Sequence, residues 1–313
     1  VHAARPTRGS RRRAPPRRRD ALSQLDTVAS RPNRMVSINA LPLLLFVAPS
    51  SALEVLNGLQ IRPRTIEVRK SLAVTVYELA QPRELVELWM SGDNSRAVGA
   101  LSRGAGDMPD PFGVVLWPGA HLAARLLDTN SASVRGRTVL ALGAGTGLEA
   151  LMAARLGAAR VIACDISPLA LALLRHGAEK AGLANVETQT FDLFSQDALP
   201  LADVLVCSDL LYNPELAAQV GRRCGEALTT AKQRGSSLSL LVTDSQRFSG
   251  GQTAFTKALL EHLPLAGRED AAAALCWQAT HLEQITGSGI LIEEDQTYDV
   301  DASYIIQWAV EAE

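Results

Sequence analysis

The most informative stretch of the chain is the glycine-rich segment VLALGAGTGLEA, residues 139–150. Its apolar start predicts a buried strand, and the residues after Gly147 favour a helix. Gly143, Gly145 and Gly147 let the backbone turn sharply and approach a ligand that any Cβ would push away. The turn amides and the helix N-terminus offer hydrogen-bond donors and the positive end of a dipole. The segment therefore predicts a ligand-binding turn at the end of a strand.

A carboxylate follows the next predicted strand. The apolar run 160–164 ends at Asp165, which lies 22 residues after Gly143. An acid at the tip of a second strand can accept hydrogen bonds from ribose hydroxyls. Because position 148 is Leu, the third glycine of the dinucleotide fingerprint is missing. The pattern favours a nucleoside cofactor without a pyrophosphate over NAD; the alternative is a glycine turn that binds nothing.

Strands alternate with helices along residues 112–313, which would bring these groups to one edge of a sheet. Ser167-Pro168 and Asn213-Pro214 are typical helix starts. The alternation favours an α/β fold, a mostly parallel sheet with helices on both faces, closed by an antiparallel pair. The predicted strands are 139–142, 160–164, 186–191, 203–207, 237–243, 280–285 and 303–310. One predicted helix begins after Pro118, and the others cover 148–156, 168–181, 214–232 and 255–263. An acidic loop is predicted over 293–301.

Two further segments precede this domain. Residues 53–111 are predicted to form a small N-terminal extension: strands 65–68 and 73–79 in a hairpin, a helix from Pro82 to Trp89, and a flexible connection over 91–111. Residues 1–52 are predicted to be disordered and targeting-like. Three interpretations stay open for them: an organelle transit peptide, a segment upstream of a true start at Met35, and a nucleic-acid-binding arm. The first indicates a plastid or mitochondrion, and the alternative compartment is the cytoplasm.

Composition and charge exclude several function classes. No run reaches the ~18 apolar residues of a membrane span, and the five histidines show no metal-ligand spacing. Residues 1–34 hold ten arginines and two acids, so with a net charge of −2 the remainder carries −10. An acidic body argues against a nucleic-acid groove across the folded part. Three of the four cysteines lie in apolar surroundings, which suits a reducing compartment.

Across about residues 108–245 the chain resembles the class I, seven-strand, S-adenosylmethionine-dependent methyltransferases. The motifs that carry the resemblance are Trp117, VRGRTVLALGAGTG (134–147), Asp165 and SDLLYNPELA (208–217). Within that class the chain resembles the protein-lysine methyltransferases, among them those that act on the electron-transfer flavoprotein β-subunit.

The resemblance implies a Rossmann-like seven-stranded sheet and S-adenosylmethionine as cofactor, while the histidine spacing predicts no metal site. It implies a protein substrate with a lysine side chain; oligomeric state stays open. Asp209 and Tyr212 become the catalytic candidates, and Trp117 precedes its helix where such a residue helps to cover the cofactor. The implied cofactor-binding residues are Trp117, Gly143, Ala144, Gly145, Gly147, Asp165, Asp192, Leu193 and Ser208.

The chemistry that this resemblance implies is demanding. The nucleophile must be a neutral amine, and neutralising a lysine of pKa about 10.4 at about pH 7.4 costs about 4 kcal/mol. An aromatic wall and desolvation lower that cost, and a carboxylate can orient the amine and take part in proton loss. The structural alternative is that Asp209 caps a helix and that Tyr212 is a core ring.

One position departs from the family, and other functions stay open. The acid that family members carry two residues before the first glycine is Ala141 here, so Glu149 is a candidate substitute contact. The alternatives are a small-molecule amine N-methyltransferase, a catalytically degenerate cofactor-binding module and, more distantly, an NAD-dependent oxidoreductase. Leu210 and Leu211 replace the prolines typical of enzymes that methylate nucleic-acid bases, which argues against nucleic acid as the substrate.

Overall fold

The computed structural model describes residues 53–91, 111–245, 248–263, 275–290, 292 and 295–307. The predictions for residues 1–52 and for the connection over 92–110 lie outside these residues. Within the described parts, no helix is both long and apolar enough to cross a lipid bilayer.

The main sheet has seven strands in the order β6-β5-β4-β7-β8-β10-β9. The five from β6 to β8 run parallel, and β10 pairs antiparallel with both β8 and β9. The predicted mostly parallel sheet with a closing antiparallel pair is confirmed. Its strands are β4 (Thr138–Leu142), β5 (Arg160–Asp165), β6 (Val186–Thr190), β7 (Val204–Ser208), β8 (Ser239–Asp244), β9 (Gln278–Thr286) and β10 (Thr297–Gln307).

Helices cover both faces of this sheet, because alternate residues of the central strand β4 enter two different cores. Val139 and Ala141 pack in one hydrophobic cluster with Leu151, whereas Leu140 and Leu142 pack in another with Phe255. The helices of the domain are α2 (Pro118–Thr129), α3 (Leu148–Arg155), α4 (Pro168–Lys180), α5 (Pro214–Gln233) and α6 (Gly251–Glu261).

Two predicted boundaries within residues 112–313 were wrong by four residues or more. Helix α6 begins at Gly251, four residues before the predicted start. Strand β10 begins at Thr297, so most of the predicted acidic loop over 293–301 is strand. In 297–301 the exposed Thr297, Asp299 and Asp301 alternate with the half-buried Tyr298 and Val300. This is the period of two of a half-buried strand, which the density of acidic residues concealed.

The N-terminal extension is a three-stranded antiparallel sheet of β1 (Glu54–Leu56), β2 (Leu59–Arg69) and β3 (Leu72–Leu79), followed by helix α1 (Pro82–Ser91). The predicted hairpin and helix are confirmed, but β2 begins six residues before the predicted strand 65–68, and β1 was missed. Val74 and Val76 of β3 share a hydrophobic cluster with Leu151 of α3. The extension therefore packs on the helices that cover one face of the main sheet.

A glutamate of a buried ion pair within the extension also binds the segment before α2. Glu78, 1 % exposed, accepts a hydrogen bond from Arg64 Nε at 2.7 Å through one carboxylate oxygen. Its other oxygen accepts the backbone N–H of Leu116, also at 2.7 Å. The Leu116 carbonyl in turn accepts the Gly289 amide at 2.7 Å. The backbone beside Trp117 is thus held from both sides.

Candidate active site

The glycine turn is built as predicted, at the carboxyl end of β4. Gly143, Gly145 and Gly147 all have positive φ, at 64°, 52° and 83°. A Cβ on Gly145 would lie 3.3 Å from the Gly113 carbonyl oxygen, and one on Gly143 would overlap the Leu210 side chain. The turn therefore lies between the 3₁₀ turn Pro111–Val114 and the SDLLY motif. Any larger residue at these positions would be strained and crowded.

Asp165 lies where the sequence placed it, at the end of β5 and against the glycine turn. One carboxylate oxygen accepts the Gly145 amide and the other accepts the Ser167 amide, both at 2.8 Å. Burial raises the pKa of Asp165, and the amides of Ser167, Gly145 and Ile166 partly oppose that rise. The acid therefore orders the turn itself. Its ribose contact stays a prediction.

Beside Asp165, the ends of β5 and β6 expose two apolar side chains that the sequence analysis did not single out. Ile166 is 44 % exposed and Phe194 is 45 % exposed. Asp192 follows the end of β6, is exposed, and accepts the Phe194 amide at 2.8 Å. Leu193 is half-buried. The signal for Ile166 was its position directly after Asp165, and a flat apolar surface there suits a nucleobase.

The structure brings Trp117 and Tyr212 into one row of half-buried aromatic rings. Ring centroids lie 6.2 Å apart for Trp117 and Phe112, 5.9 Å for Phe112 and Tyr212, and 6.4 Å for Tyr212 and Phe248. Trp117 Nε1 donates to the Phe112 carbonyl at 2.8 Å. We call these four rings the aromatic row. Sequence analysis missed Phe112 and Phe248, which come from two segments distant in the chain.

Asp209 lies at the end of β7 and is 4 % exposed, with φ at +53°. Its carboxylate oxygens accept the Gly119 amide at 2.6 Å and the Ser245 amide at 2.7 Å. Gly119 is in the first turn of α2, so Asp209 caps that helix from the end of β7, far away in the sequence. A Cβ on Gly119 would lie within 2.7 to 2.9 Å of the carboxylate atoms. This is the capping geometry that the sequence left open as an alternative.

Two more polar side chains are buried next to the turn. Glu149, in the first turn of α3, is 2 % exposed, and Ser208 ends β7. Burial raises the pKa of Glu149 to about 7, and the negative charges of Asp209 and Asp165 raise it further. Hydrogen bonding by its own backbone amide and by the Ser208 hydroxyl lowers the pKa in part. Ser208 Oγ is near enough to act on the carboxyl electrostatically, but it has no hydrogen-bond partner with good geometry in the described parts of the chain. Ala141 is fully buried in β4.

Glu149 is expected to make the protein less stable as the pH rises through neutrality. A glutamate in the unfolded chain titrates near 4.5, whereas the fold raises the pKa of Glu149 to about 7. The folded state holds the proton more tightly, so its stability is greatest below the unfolded pKa and is lost as the pH rises to about 7. Glu149→Gln is expected to be more stable than wild type at about pH 8 by on the order of 3 kcal/mol. Urea denaturation of both proteins at about pH 5 and pH 8 measures this. If Glu149→Gln and wild type differed in unfolding free energy by the same amount at both pH values, the prediction would be contradicted.

Residues 139–231 match a family model described as a methyltransferase domain. Over these residues the chain is similar to methyltransferase domains, as the glycine turn, Asp165 and the SDLLY motif led us to expect for a class I, S-adenosylmethionine-dependent enzyme. The match begins in β4 and ends in α5, so it includes the glycine turn, Asp165 and the SDLLY motif of the methyltransferase domain.

Several curated methyltransferases are similar to the chain. The human electron transfer flavoprotein beta subunit lysine methyltransferase is 32 % identical over 147 residues, covering 45 % of this chain and 52 % of that protein. A mouse histone-arginine methyltransferase is 34 % identical, covering 33 % and 43 %. The ribosomal protein L11 methyltransferase of Vibrio campbellii is 36 % identical, covering 33 % and 37 %. The chain therefore spans about half the length of these relatives or less.

The residues of the methyltransferase domain fit S-adenosylmethionine. The turn is a cradle that a Cβ would fill, since Gly145 faces the Gly113 carbonyl. The buried Ser208 Oγ has no hydrogen-bond partner with good geometry among the described residues. Asp165 with Ile166 and Phe194 offers an acceptor and apolar surfaces for the nucleoside, and Glu149 with Ser208 lies on the other side of the turn. In the described residues no group of three or more His, Cys, Asp or Glu side chains is arranged to hold a metal ion.

Proposed function

We propose that this protein is a protein-lysine N-methyltransferase. The aromatic row, which lies where β7 ends beside the glycine turn, is the observation that carries the proposal. Four rings at this place form an apolar wall, and an amine placed against such a wall loses hydration. The similarity to lysine methyltransferases of the electron transfer flavoprotein beta subunit supports the substrate class.

The wall acts on the ionisation of the substrate amine. Desolvation disfavours the ammonium form, so the amine pKa falls toward neutrality and a larger fraction is nucleophilic. Aromatic faces also attract a residual ammonium while it docks. When bound, S-adenosylmethionine supplies an electrophilic methyl group on a sulfonium. The lysine Nζ forms the new N–C bond as the S–CH₃ bond breaks, the electron pair stays on sulfur, and the proton of the product ammonium passes to water.

The role that we propose for Asp209 is positioning. Its carboxylate holds the first turn of α2 through the Gly119 amide, and Trp117 directly precedes that helix. The hydrogen bond from the Ser245 amide ties the same carboxylate to the end of β8, three residues before Phe248 in the chain. Asp209 thereby sets the two ends of the aromatic row. Methyl transfer depends strongly on such alignment of amine, methyl and leaving sulfur.

A protein is the proposed partner, and the acidic body suits a basic segment carrying the target lysine. A small-molecule amine remains the second candidate substrate. The organelle location proposed from the sequence rests on residues 1–52.

The test of the proposal is methyl transfer from S-adenosylmethionine labelled in its methyl group. The full chain is incubated with cell extract, proteins are separated from small molecules, and labelled bands are hydrolysed for amino-acid analysis. The proposal expects label in protein as Nε-methyllysine. Label as methylarginine, in nucleic acid or only in small molecules would contradict it.

Tyr212 supplies matched controls for this assay. Tyr212→Phe keeps the ring and is expected to retain most of the transfer. Tyr212→Leu removes one ring from the row and is expected to lose about tenfold, since aromatic contacts contribute roughly 0.5–1.5 kcal/mol.

A further inference from the structure

Glu149 and Ser208 are polar groups that neither the fold nor the proposed chemistry of the amine uses. Both are more than nine-tenths buried. Within the parts that the structure describes, Ser208 Oγ has no hydrogen-bond partner with good geometry, although its hydroxyl is near enough to the Glu149 carboxyl to lower that pKa. Glu149 is acted on by Ser208, its own amide, Asp209 and Asp165, with no basic side chain among the groups that shift its titration. A buried carboxyl in such surroundings needs a partner.

The location of the pair points to the ligand rather than to the core. Glu149 is two residues beyond Gly147, the last glycine of the turn, and its side chain reaches the end of β7, the strand next to β4. Asp165 lies on the side of β5 and Asp209 follows Ser208 directly. Asp165 and Asp209 are close enough to Glu149 to raise its pKa, so three carboxyl groups act on one another near the turn. Their combined field favours a cation.

S-adenosylmethionine has two cationic centres, the sulfonium and the α-ammonium. The sulfonium has no N–H or O–H donor, and its methyl group must face the aromatic row to be transferred. The ammonium has three donors, as a lysine ammonium has. It can satisfy the Glu149 carboxylate and Ser208 Oγ together, in charge-assisted hydrogen bonds. The chemistry of this pair therefore matches the ammonium.

We propose that Glu149, assisted by Ser208, is the specificity-determining residue that binds the α-amino group of the methionine end of the cofactor. This contact replaces the acid that is absent at Ala141. The inference rests on cofactor binding and is independent of whether the methyl acceptor is a lysine.

The experiment compares two ligands that differ at the amino-acid end. S-adenosylhomocysteine carries the ammonium and lacks the sulfonium charge; 5′-methylthioadenosine lacks the entire amino-acid group. Each is titrated calorimetrically into the full chain, wild type and Glu149→Gln. We expect Glu149→Gln to weaken S-adenosylhomocysteine binding about 10- to 100-fold, the range for charged hydrogen bonds. Binding of 5′-methylthioadenosine should change less than about twofold.

Controls separate this role from a structural one. Glu187→Gln removes a surface acid that pairs with Arg160 and should leave both affinities unchanged. Ser208→Ala should weaken S-adenosylhomocysteine about threefold to tenfold and leave 5′-methylthioadenosine unaffected, as expected for one hydrogen bond. An equal loss for both ligands in Glu149→Gln would mean that the glycine turn is disturbed, and it would overturn the proposal.

Proton release provides a second readout. The ammonium lowers the pKa of Glu149 on binding, so wild type should release protons to the buffer near pH 7, seen as a dependence of the binding enthalpy on the buffer. Glu149→Gln should show a smaller release. Unchanged S-adenosylhomocysteine affinity in that variant would overturn the inference and leave the proposed function intact. Failure of wild type to bind either ligand would overturn both.

Discussion

Replacing Asp209 by asparagine is expected to lower kcat/KM for methyl transfer by about 100-fold and the free energy of unfolding by about 2 kcal/mol. The carboxylate accepts two buried backbone amides, at Gly119 and Ser245, and an asparagine offers one acceptor and points its NH₂ at the other amide. Losing a hydrogen bond to a buried charged acceptor costs about 1.5–3 kcal/mol. Asparagine tolerates the positive φ of this position, so backbone strain does not confuse the result. Urea denaturation and initial rates measure the two effects.

Gly119→Ala is the matched test of how Asp209 acts. It leaves the carboxylate in place and pushes the first turn of α2 away from it, because the new Cβ meets the carboxylate atoms at 2.7 to 2.9 Å. If Asp209 positions the helix, this variant reproduces most of the loss of kcat, the pH profile of the residual activity keeps its shape, and binding of S-adenosylhomocysteine changes less than about threefold. If Gly119→Ala kept full activity and Asp209→Asn lost the acidic limb of the pH–rate profile, Asp209 would instead be identified as a base.

Asp165→Ala is expected to weaken binding of S-adenosylhomocysteine about 100-fold. The substitution removes the predicted ribose acceptor and also frees the Gly145 and Ser167 amides, which order the glycine turn. Each hydrogen bond to a charged group contributes about 1.5–3 kcal/mol, and 1.4 kcal/mol is about tenfold in affinity. Calorimetric titration of the full chain gives the value directly.

Stability should not account for the loss in Asp165→Ala. Burial raises the pKa of Asp165, so its ionised form costs the folded state free energy at neutral pH, and removing it offsets the lost hydrogen bonds. The exposed Asp192 is the matched control, and Asp192→Ala should weaken binding less than about tenfold. A loss in Asp192→Ala as large as in Asp165→Ala would contradict the ribose role of Asp165.

Sequence reasoning recovered the sheet because its signals are local. The glycine turn, the strand that ends at Asp165 and the helix starts at Pro168 and Pro214 each depend on a few neighbouring residues. The boundary of β10 was lost because acidic residues on the exposed face of an edge hairpin look like a loop. Strand β1 has only three residues, too few for a period of two to show.

The candidate site was predictable as an edge of the sheet but not as an arrangement of side chains. Phe112 and Phe248 join the aromatic row only because residues far apart in the sequence meet in the fold. The two hydrogen bonds that Asp209 accepts from backbone amides have the same cause, since Gly119 and Ser245 lie 90 and 36 positions away. Spacing in the sequence indicates which strand end carries a carboxylate. It does not reveal which oxygen is already used by a backbone amide.

The buried pair of Arg64 and Glu78 restricts how this protein can recombine with its relatives. A chimera whose crossover point lies between β3 and Trp117 would combine an N-terminal sheet from one parent with a Leu116 amide from another. Unless the incoming strand carries an acid at the position of Glu78, that amide loses its acceptor. A crossover between β2 and β3 would instead separate Glu78 from Arg62 and Arg64, and a buried charge that loses its partners costs about 3–5 kcal/mol. The residues that should be inherited together are therefore 59–117, and crossovers outside this range leave the contacts of Glu78 with Arg64 and with the Leu116 amide intact.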